Sequence, residues 1–230
     1  MKLKVLGSGS AGNCYLLTAK NGETLIIDCG VPIFNIKRGL NFNIKTAAGC
    51  IVSHEHTDHC KAKEGVKALG IPLWLPFEEE KPKTKQFGSF FIQCFPLPHN
   101  GTKNYGFFIK ADEQKILYLT DFEYCRYNFK KQAVNHIIIE CNYIKDMLNE
   151  NMANFEHKVR GHCELETVKQ FIKANKTDAL QTVVVCHLGI ETTDEERIIN
   201  ELKNEVNFYT EVCCANLGLN LELPDTRCPF

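Results

Sequence analysis

The chain has 230 residues, of which 44% are hydrophobic, and its 27 Lys and Arg residues are balanced by 28 Asp and Glu residues. This balance excludes a global attraction to nucleic acid, although a local basic patch remains compatible with it. No apolar stretch approaches the ~20 residues that a membrane helix needs, and the N-terminus is too short in apolar length for a secretory signal. We therefore expect one domain over residues 1–230, in a soluble cytoplasmic protein without a membrane partner.

Strands dominate the predicted elements of the first two thirds of the chain. They are expected over residues 3–6, 14–19, 24–28, 49–53, 71–75, 89–97, 105–110, 115–120 and 136–140. Asn21-Gly22 is a strong hairpin signal between the second and third strands. Residues 61–69 have helical spacing, with Ala62, Val66 and Leu69 on one face. The charged, Pro-containing segment 76–85 is predicted to be a surface loop.

The last third of the chain mixes helices with strands. Helices are predicted over residues 165–174 and 194–204, a buried strand over 182–186, and a closing strand over 208–212. Thr193 with Glu196 forms a capping-box pattern for the last helix. Strands with helices interspersed favour sheets covered by helices, which is an α+β fold.

The 12 cysteines include no Cys-x-x-Cys pair, which argues against zinc ribbons and thioredoxin-type redox sites. A chain with this much apolar content has no need of a disulfide framework. Several cysteines, Cys29, Cys50 and Cys186 among them, stand in or beside apolar runs. We interpret them as small buried hydrophobic residues.

A glycine-rich run, Gly7 to Gly12, matches the G-x-G-x-x-G pattern and follows the first predicted strand. A dinucleotide site needs a helix directly after such a run, to hold the pyrophosphate at its N-terminus. Here residues 14–19 form a predicted strand that leads into the Asn21-Gly22 turn. The run is better interpreted as a turn that lets the backbone pass close to an active site.

Metal-ligand residue types are concentrated in the run from His54 to His59. His54, His56, Asp58 and His59 lie within six residues, directly after a predicted strand. Imidazole and carboxylate groups bind Zn²⁺ and similar metals at ~2.0–2.2 Å. A lone histidine is more often a surface or core residue than a ligand, but three histidines and one aspartate at this density predict a metal site.

One run cannot fill two metal sites, and three more ligand-type residues follow apolar strands. They are His99, Asp121 and His187, each placed just past a predicted strand end. Loops at strand ends are free to converge while the sheet holds them in place. We therefore expect these three side chains to join the His54–His59 run.

This order of ligands resembles the metallo-β-lactamase superfamily, whose pattern is H-x-H-x-D-H, then His, Asp and His. The resemblance extends from Leu3 to about Asn204, and more narrowly it is to the YycJ/WalJ-like subfamily. The residues that carry the narrower resemblance are Leu6 to Cys14, Ile27-Asp28-Cys29-Gly30, Ser53 to His59, Glu140-Cys141-Asn142-Tyr143, Gly161-His162 and His187-Leu188. The chain departs from the subfamily at Tyr143, where a His is usual, and at Asn100, where an Asp is more usual.

The resemblance implies an αββα four-layer sandwich with the site at one edge of the paired sheets. It also implies two divalent metal ions, Zn²⁺ or Mn²⁺. The implied ligands of one ion are His54, His56 and His99, those of the other are Asp58, His59 and His187, and Asp121 bridges both.

A further resemblance, to tRNase Z-type enzymes, concerns Glu140 and His162. In those enzymes a Glu and a downstream His help to protonate the leaving group, and the positions match here. Asp58 would bind metal with one oxygen and orient a metal-bridging hydroxide with the other. Asp28 is interpreted as orienting a ligand histidine, or alternatively as a strand-end turn residue.

The resemblance implies a phosphodiesterase, and more narrowly a DNA exonuclease, with DNA favoured over RNA as the nucleic acid substrate. Lysine pairs near the predicted site loops are compatible with a phosphate backbone, although such charges usually form solvated faces. A small-molecule thioesterase or lactonase is the alternative, because its ligand set is nearly the same. A non-catalytic, metal-stabilised binding module is a third possibility. The oligomeric state stays open.

Overall fold

The structure is a computed structural model that describes residues 1–149, 151 and 155–225. Its strands form two sheets. The first sheet contains β1 (Lys2–Gly7), β2 (Cys14–Thr18), β3 (Thr24–Ile27), β4 (Ala47–Ile51), β5 (Leu73–Trp74) and β13 (Asn220–Glu222), in the spatial order β13-β1-β2-β3-β4-β5.

The second sheet contains β6 (Thr84–Phe87), β7 (Phe90–Leu97), β8 (Asn104–Ala111), β9 (Gln114–Leu119), β10 (His136–Glu140), β11 (Thr182–Cys186) and β12 (Glu211–Cys214). Its spatial order is β12-β11-β10-β9-β8-β7-β6. The strands β9, β10, β11 and β12 are parallel to their neighbours in this group, whereas β6, β7, β8 and β9 form an antiparallel meander.

The α-helices are α1 (Ile33–Gly39), α2 (Thr57–Cys60), α3 (Lys63–Ala68), α4 (Phe155–Gly161), α5 (Leu165–Asn175) and α6 (Glu195–Lys203). Short 3₁₀ turns cover Ile44–Thr46, Pro76–Glu78, Lys130–Gln132 and Lys145–Met147. Among the described residues, none of the helices combines the length and the apolar character that a membrane crossing requires.

Three apolar clusters hold the layers together, and β9 shows how. Ile116 and Tyr118 belong to the cluster between the two sheets, whereas Leu117 and Leu119 belong to a second cluster beneath α5 and α6. Side chains that alternate along a strand bury both faces of the sheet in this way. A third cluster lies between the outer face of the first sheet and the helices α1 and α3. The predicted four-layer αββα sandwich is therefore confirmed.

The parallel strands determine where functional side chains meet. Asp121, Glu140 and His187 lie at or just past the carboxyl ends of β9, β10 and β11. Asp28 and His54 follow β3 and β4, which are also parallel to each other. Because carboxyl ends of parallel strands lie at one edge of a sheet, the two sheets each bring ligand-type residues to an edge.

The segment 76–85 is not only a surface loop, so that prediction is wrong in part. Pro76 and Phe77 are buried in a 3₁₀ turn, and β6 begins at Thr84. Glu79 accepts a hydrogen bond of 2.8 Å from the Trp74 indole. The strand escaped notice because it lies at the edge of its sheet and carries exposed polar side chains, as edge strands commonly do.

The start of α6 and the closing strand also differ from their predictions. Asp194 is the N-cap, and its side chain accepts from the Arg197 backbone N–H at 3.0 Å. Thr193 instead donates to the Gly189 carbonyl at 2.7 Å, so the predicted capping box is wrong. The closing strand begins at Glu211 rather than at Phe208, whose side chain is fully exposed.

Other predicted elements are confirmed with shifted ends, and a few were missed. The helix expected over 61–69 is α3, shortened to Lys63–Ala68, and the strand expected over 71–75 shortens to two residues. Besides β6, the missed helices and strands are α1, α2, α4 and β13. Their lengths of seven, four, seven and three residues give too few repeats for a periodic pattern to be read.

Gly30 couples the loop after β3 to the loop that carries Asp58. A β-carbon at Gly30 would overlap the Asp58 carbonyl group. Asn13 joins both, since its N–H donates to the Asp58 carbonyl at 2.7 Å and its own carbonyl accepts from Gly30 at 2.9 Å. We expect Gly30→Ala to lower the free energy of unfolding by about 2 kcal/mol or more, through overpacking.

The matched control is Gly22→Ala at the tip of the β2–β3 hairpin, where nothing lies within 4 Å of a new β-carbon. Because Gly22 has a φ of +85°, an alanine there would adopt a left-handed conformation. This strain alone should lower the free energy of unfolding, by about 1–2 kcal/mol. Denaturant unfolding of both variants measures the difference. A Gly30→Ala variant as stable as the control would contradict the close packing.

Candidate metal centre

The run from Ser53 to His59 leaves β4 in an extended conformation and then turns into a helix. His56 is the N-cap of α2, so Asp58 and His59 lie in the first turn of that helix. His54 and His59 are fully buried, whereas His56 and Asp58 are partly exposed. Because the backbone changes from extended to helical within this short run, its ligand-type side chains point toward one site.

Among the described residues, three groups of possible ligand atoms share the carboxylate of Asp121. Two of them are the clusters of predicted ligands, and the third contains Asp121, Glu140, His162 and His187. The donor atoms of each cluster lie within 4.8 Å of one another. The first cluster contains His54, His56, His99 and Asp121, and the second contains Asp58, His59, Asp121 and His187. The structure therefore brings together all seven residues that the sequence predicted as ligands.

The two oxygens of Asp121 face different clusters. Oδ2 lies 3.7 Å from His54 Nε2 and 3.8 Å from His99 Nε2. Oδ1 lies 3.3 Å from His59 Nε2 and 2.7 Å from His187 Nδ1. This orientation is what a carboxylate shared between two cations would adopt.

The spacing of the donor atoms fits divalent metal ions. Two ligand atoms that are each ~2.1 Å from a tetrahedral metal are about 3.4 Å apart. His59 Nε2 lies 3.4 Å from Asp58 Oδ2, and His187 Nε2 lies 3.8 Å from the same oxygen. In the described part of the chain, His54 Nε2 and His187 Nε2 are buried without a hydrogen-bond partner. Buried nitrogens of this kind are normally satisfied, and a metal ion would satisfy them.

Hydrogen bonds behind the clusters fix the orientation of the ligand rings. Asp28, fully buried, accepts from His59 Nδ1 at 2.8 Å, and also from the Ser53 backbone N–H at 2.8 Å and the Tyr118 hydroxyl at 2.5 Å. His99 Nδ1 donates to the Gly161 carbonyl at 2.6 Å. With Nδ1 as donor, the neutral form of each ring has its lone pair on Nε2, toward the cluster. The contact that was expected between Asp28 and a ligand histidine is present.

The charges of the site divide its histidines into two groups. Burial lowers the pKa of His54 well below its usual value and also lowers that of His99, so both rings are neutral. Burial alone would lower the pKa of His59, but Asp121 and Asp28 outweigh it and raise that pKa well above the usual value. For His187, Asp121 and Glu140 outweigh burial and raise the pKa to about 10. Burial opposes ionisation of Asp121, yet His187 and His59 hold its pKa well below the usual value.

Glu140 and His162 lie beside the second cluster. Glu140 is fully buried at the end of β10, and its Oε1 lies 2.6 Å from His162 Nδ1. The same oxygen lies 2.9 Å from His187 Nδ1. Oε2 accepts from the backbone N–H groups of Phe122 and Cys163, at 3.1 and 3.3 Å. The predicted pair is therefore in contact, and Glu140 additionally reaches a ligand histidine.

Three residues of the site share a backbone conformation that is uncommon for residues other than glycine. Asp28, Asp121 and His187 have φ values of 56°, 50° and 49°. Each stands directly after a strand or one residue later, where the left-handed turn redirects the side chain toward the sheet edge. Such strain concentrates at functional sites because surrounding contacts must hold it.

Two contributors from the glycine-rich turn were not predicted individually. Asn13 Nδ2 lies 2.9 Å from His59 Nε2 and 3.4 Å from Asp58 Oδ2. Ser8 Oγ accepts from the His187 backbone N–H at 3.0 Å. The close approach expected of the run from Gly7 to Gly12 is thus present. The proximity of that turn to a predicted site was the available signal, because neither side chain is distinctive by type.

The chain departs from the subfamily pattern at Tyr143 and Asn100. Both lie outside the groups of possible metal ligands found among the described residues. Tyr143 is buried, and its backbone carbonyl accepts from Leu165 at 3.0 Å. Asn100 is exposed, and its backbone N–H donates to the Arg160 carbonyl at 3.1 Å. Both positions therefore have backbone contacts next to the site.

Comparison with known proteins gives full-length and partial matches. A family model described as Anti-Pycsar protein Apyc1 matches residues 1–70. Exodeoxyribonuclease WalJ of Streptococcus pneumoniae is 24% identical over 271 aligned residues, which cover 100% of this chain and 97% of WalJ. Exodeoxyribonuclease YycJ of Bacillus anthracis is 23% identical over 85% of each chain.

Among solved structures, the metallo-β-lactamase fold protein YhfI from Bacillus subtilis is similar with a TM-score of 0.72 and 18% identity. The similarity covers 96% of this chain and 98% of that chain. The family match over residues 1–70 contains the run from His54 to His59, whereas the WalJ match covers the whole chain and so also spans His99, Asp121 and His187.

Metal binding to the metal-free chain should release protons. Zn²⁺ requires neutral imidazole, but His59 and His187 have raised pKa values and carry protons near pH 7. We expect the release of about two protons per chain near pH 7, and an affinity for Zn²⁺ that rises with pH up to the His187 pKa of about 10. Calorimetric titration in two buffers of different ionisation enthalpy counts the protons. Equal heats in both buffers would contradict the assigned charges.

Proposed function

We propose that this chain, a metal-dependent hydrolase with the metallo-β-lactamase fold, is a phosphodiesterase that degrades DNA from an end. The relatives WalJ and YycJ, which match 100% and 85% of this chain, are both named exodeoxyribonucleases, and this supports DNA over RNA as the substrate. The observation that carries the proposal is the Asp121 carboxylate, whose two oxygens face two separate ligand clusters.

The ligand set supports two divalent ions, Zn²⁺ or Mn²⁺. His54, His56 and His99 would hold one ion, and Asp58, His59 and His187 the other, with Asp121 between them. When bound, such a pair of ions supplies an activated water at neutral pH and binds phosphate oxygens. The chain's own contribution is to fix the spacing through Asp121 and the ring orientations through Asp28 and the Gly161 carbonyl.

Asp58 is proposed to orient the attacking water. Its side chain is partly exposed, unlike the fully buried His59 next to it. One carboxylate oxygen, Oδ2, lies near both His59 Nε2 and His187 Nε2, at 3.4 and 3.8 Å. A carboxylate that binds with one oxygen keeps the other available as a hydrogen-bond acceptor for the water.

His162 is proposed to donate the proton to the departing sugar oxygen. Glu140 accepts from its Nδ1 at 2.6 Å, so the ring is held with Nε2 as the nitrogen that exchanges a proton with substrate. A sugar alkoxide is a poor leaving group and needs that proton. The pair therefore favours a phosphodiesterase over the alternative thioesterase, whose thiolate leaving group is stable without protonation.

Labelled single- and double-stranded DNA, incubated with the Zn²⁺- or Mn²⁺-loaded chain, tests the proposal directly. We expect mononucleotides to appear from the first time points, and Asp121→Asn to abolish them while the protein stays folded. A parallel panel of thioesters and lactones tests the alternative. Turnover of that panel by a metal-loaded chain that leaves DNA intact would refute the proposal. Binding of metal without turnover of either panel would favour the non-catalytic module.

The leaving group gives a sharper test of His162. His162→Ala should reduce kcat on DNA by about 10²–10⁴-fold, the range for loss of a general acid. The same variant should lose far less on bis(p-nitrophenyl) phosphate, because nitrophenolate departs without a proton. Measuring kcat for both substrates on one preparation provides the internal control. An equal loss on both would assign His162 to positioning instead of proton donation.

A further inference from the structure

Lys158 links helix α4 to the loop that follows β11. Its ammonium group donates to Asn142 Oδ1 at 3.0 Å and to Thr192 Oγ1 at 3.2 Å. Asn142 in turn donates through Nδ2 to the His187 carbonyl at 3.0 Å. The half-buried lysine is thus held by these contacts rather than free at the surface. Asn142 connects it to the backbone carbonyl of His187, a proposed metal ligand.

Both acceptors of Lys158 are neutral oxygens. Within the described ranges, no carboxylate oxygen lies within 4.0 Å of its ammonium group, whereas Lys169 contacts Glu166 and Glu201 at 2.9 and 3.1 Å. An ammonium group has three N–H donors, so one remains after these two contacts. A partly desolvated cation whose described partners are neutral can form an ion pair with an anion from outside the chain.

The position of this cation suits an anionic substrate. The His162 backbone N–H donates to the Lys158 carbonyl at 3.1 Å, so the lysine stands one helical turn before the proposed proton donor. On its other side, Lys158 Nζ lies 3.0 Å from the place that a β-carbon on Gly189 would occupy, two residues after His187. Alongside its histidines, the described site contains three carboxylates, Asp58, Asp121 and Glu140, which by themselves would repel phosphate.

We propose that Lys158 binds a backbone phosphate of the substrate strand, with Asn142 and Thr192 holding its ammonium group at the rim of the metal centre. This inference rests on the proposed function and deepens it, because it assigns recognition of a polyanion to a specific side chain. A neutral thioester or lactone would not use this contact.

The salt dependence of binding tests the assignment. The ligand is a single-stranded oligonucleotide with phosphorothioate linkages, which keep the charge while slowing hydrolysis, and binding to the Mn²⁺-loaded chain is followed by fluorescence anisotropy. Lys158→Gln should weaken binding by roughly tenfold to a hundredfold, as expected for one charge-assisted hydrogen bond. The slope of log K against log salt should become shallower by about 0.7, the contribution of one phosphate contact on a single strand.

Two control variants separate phosphate binding from a structural role. Lys203→Gln removes an exposed charge in the last turn of α6 and should leave the slope unchanged. Thr192→Val removes one anchor and keeps the charge, so its slope should also stay at the wild-type value. An unchanged slope in Lys158→Gln, or a loss of Mn²⁺ affinity that accounts for its weaker binding, would overturn the proposal.

The two proposals can fail separately. If unmodified DNA is not cleaved but the slope changes as expected, the nuclease assignment fails and the phosphate contact stands. If DNA is cleaved and the slope does not change, the phosphate contact fails and the nuclease assignment stands. An oligonucleotide that does not bind the wild-type chain would overturn the phosphate contact as well.

Discussion

The buried carboxylate of Asp121 is the constraint on which the rest of the site depends. Its oxygens lie within 3.8 Å of imidazole nitrogens from four histidines, which arrive from three separate segments of the chain. A buried charge is costly unless it is paired, and the raised pKa values of His59 and His187 supply the pairing in the metal-free chain. A bound metal ion would take over this pairing, because it would hold the same carboxylate and imidazole groups.

The apolar core of the sandwich supplies stability that offsets the cost of burying these charges. Apolar side chains fill both faces of the central strands, so the backbone at their carboxyl ends is held rigidly. That rigidity also holds the left-handed turns at Asp28, Asp121 and His187, each of which an isolated segment would avoid. The packed core thus stabilises the strained turns at the sheet edge, because the ordered strands on which these turns depend hold them in place.

Hydrogen bonds from neighbouring residues hold the proposed ligands in place. Asp28 holds His59, and the Gly161 carbonyl holds His99. Glu140 contacts both His162 and His187, so the proposed proton donor and one proposed metal ligand share a carboxylate oxygen. Lys158 donates to Asn142 and to Thr192, which lies in the loop after His187. The proposed chemistry and the proposed substrate binding thus converge on the segment from His187 to Thr192.

By itself, the sequence determined the ligand types and the alternation of strands. The run from His54 to His59 is local, and His99, Asp121 and His187 each follow an apolar strand, so residue type and strand ends are readable in one dimension. The family resemblance also implied which ligands share a cluster, and the structure groups them in that way. Only the tertiary structure decided that Asn13 and Ser8 join them and that Glu140 reaches His187. Edge strands, short helices and the N-cap at Asp194 were likewise decided there. The reason is physical: contacts between residues far apart in the chain depend on how sheets pack, and no local pattern records that packing.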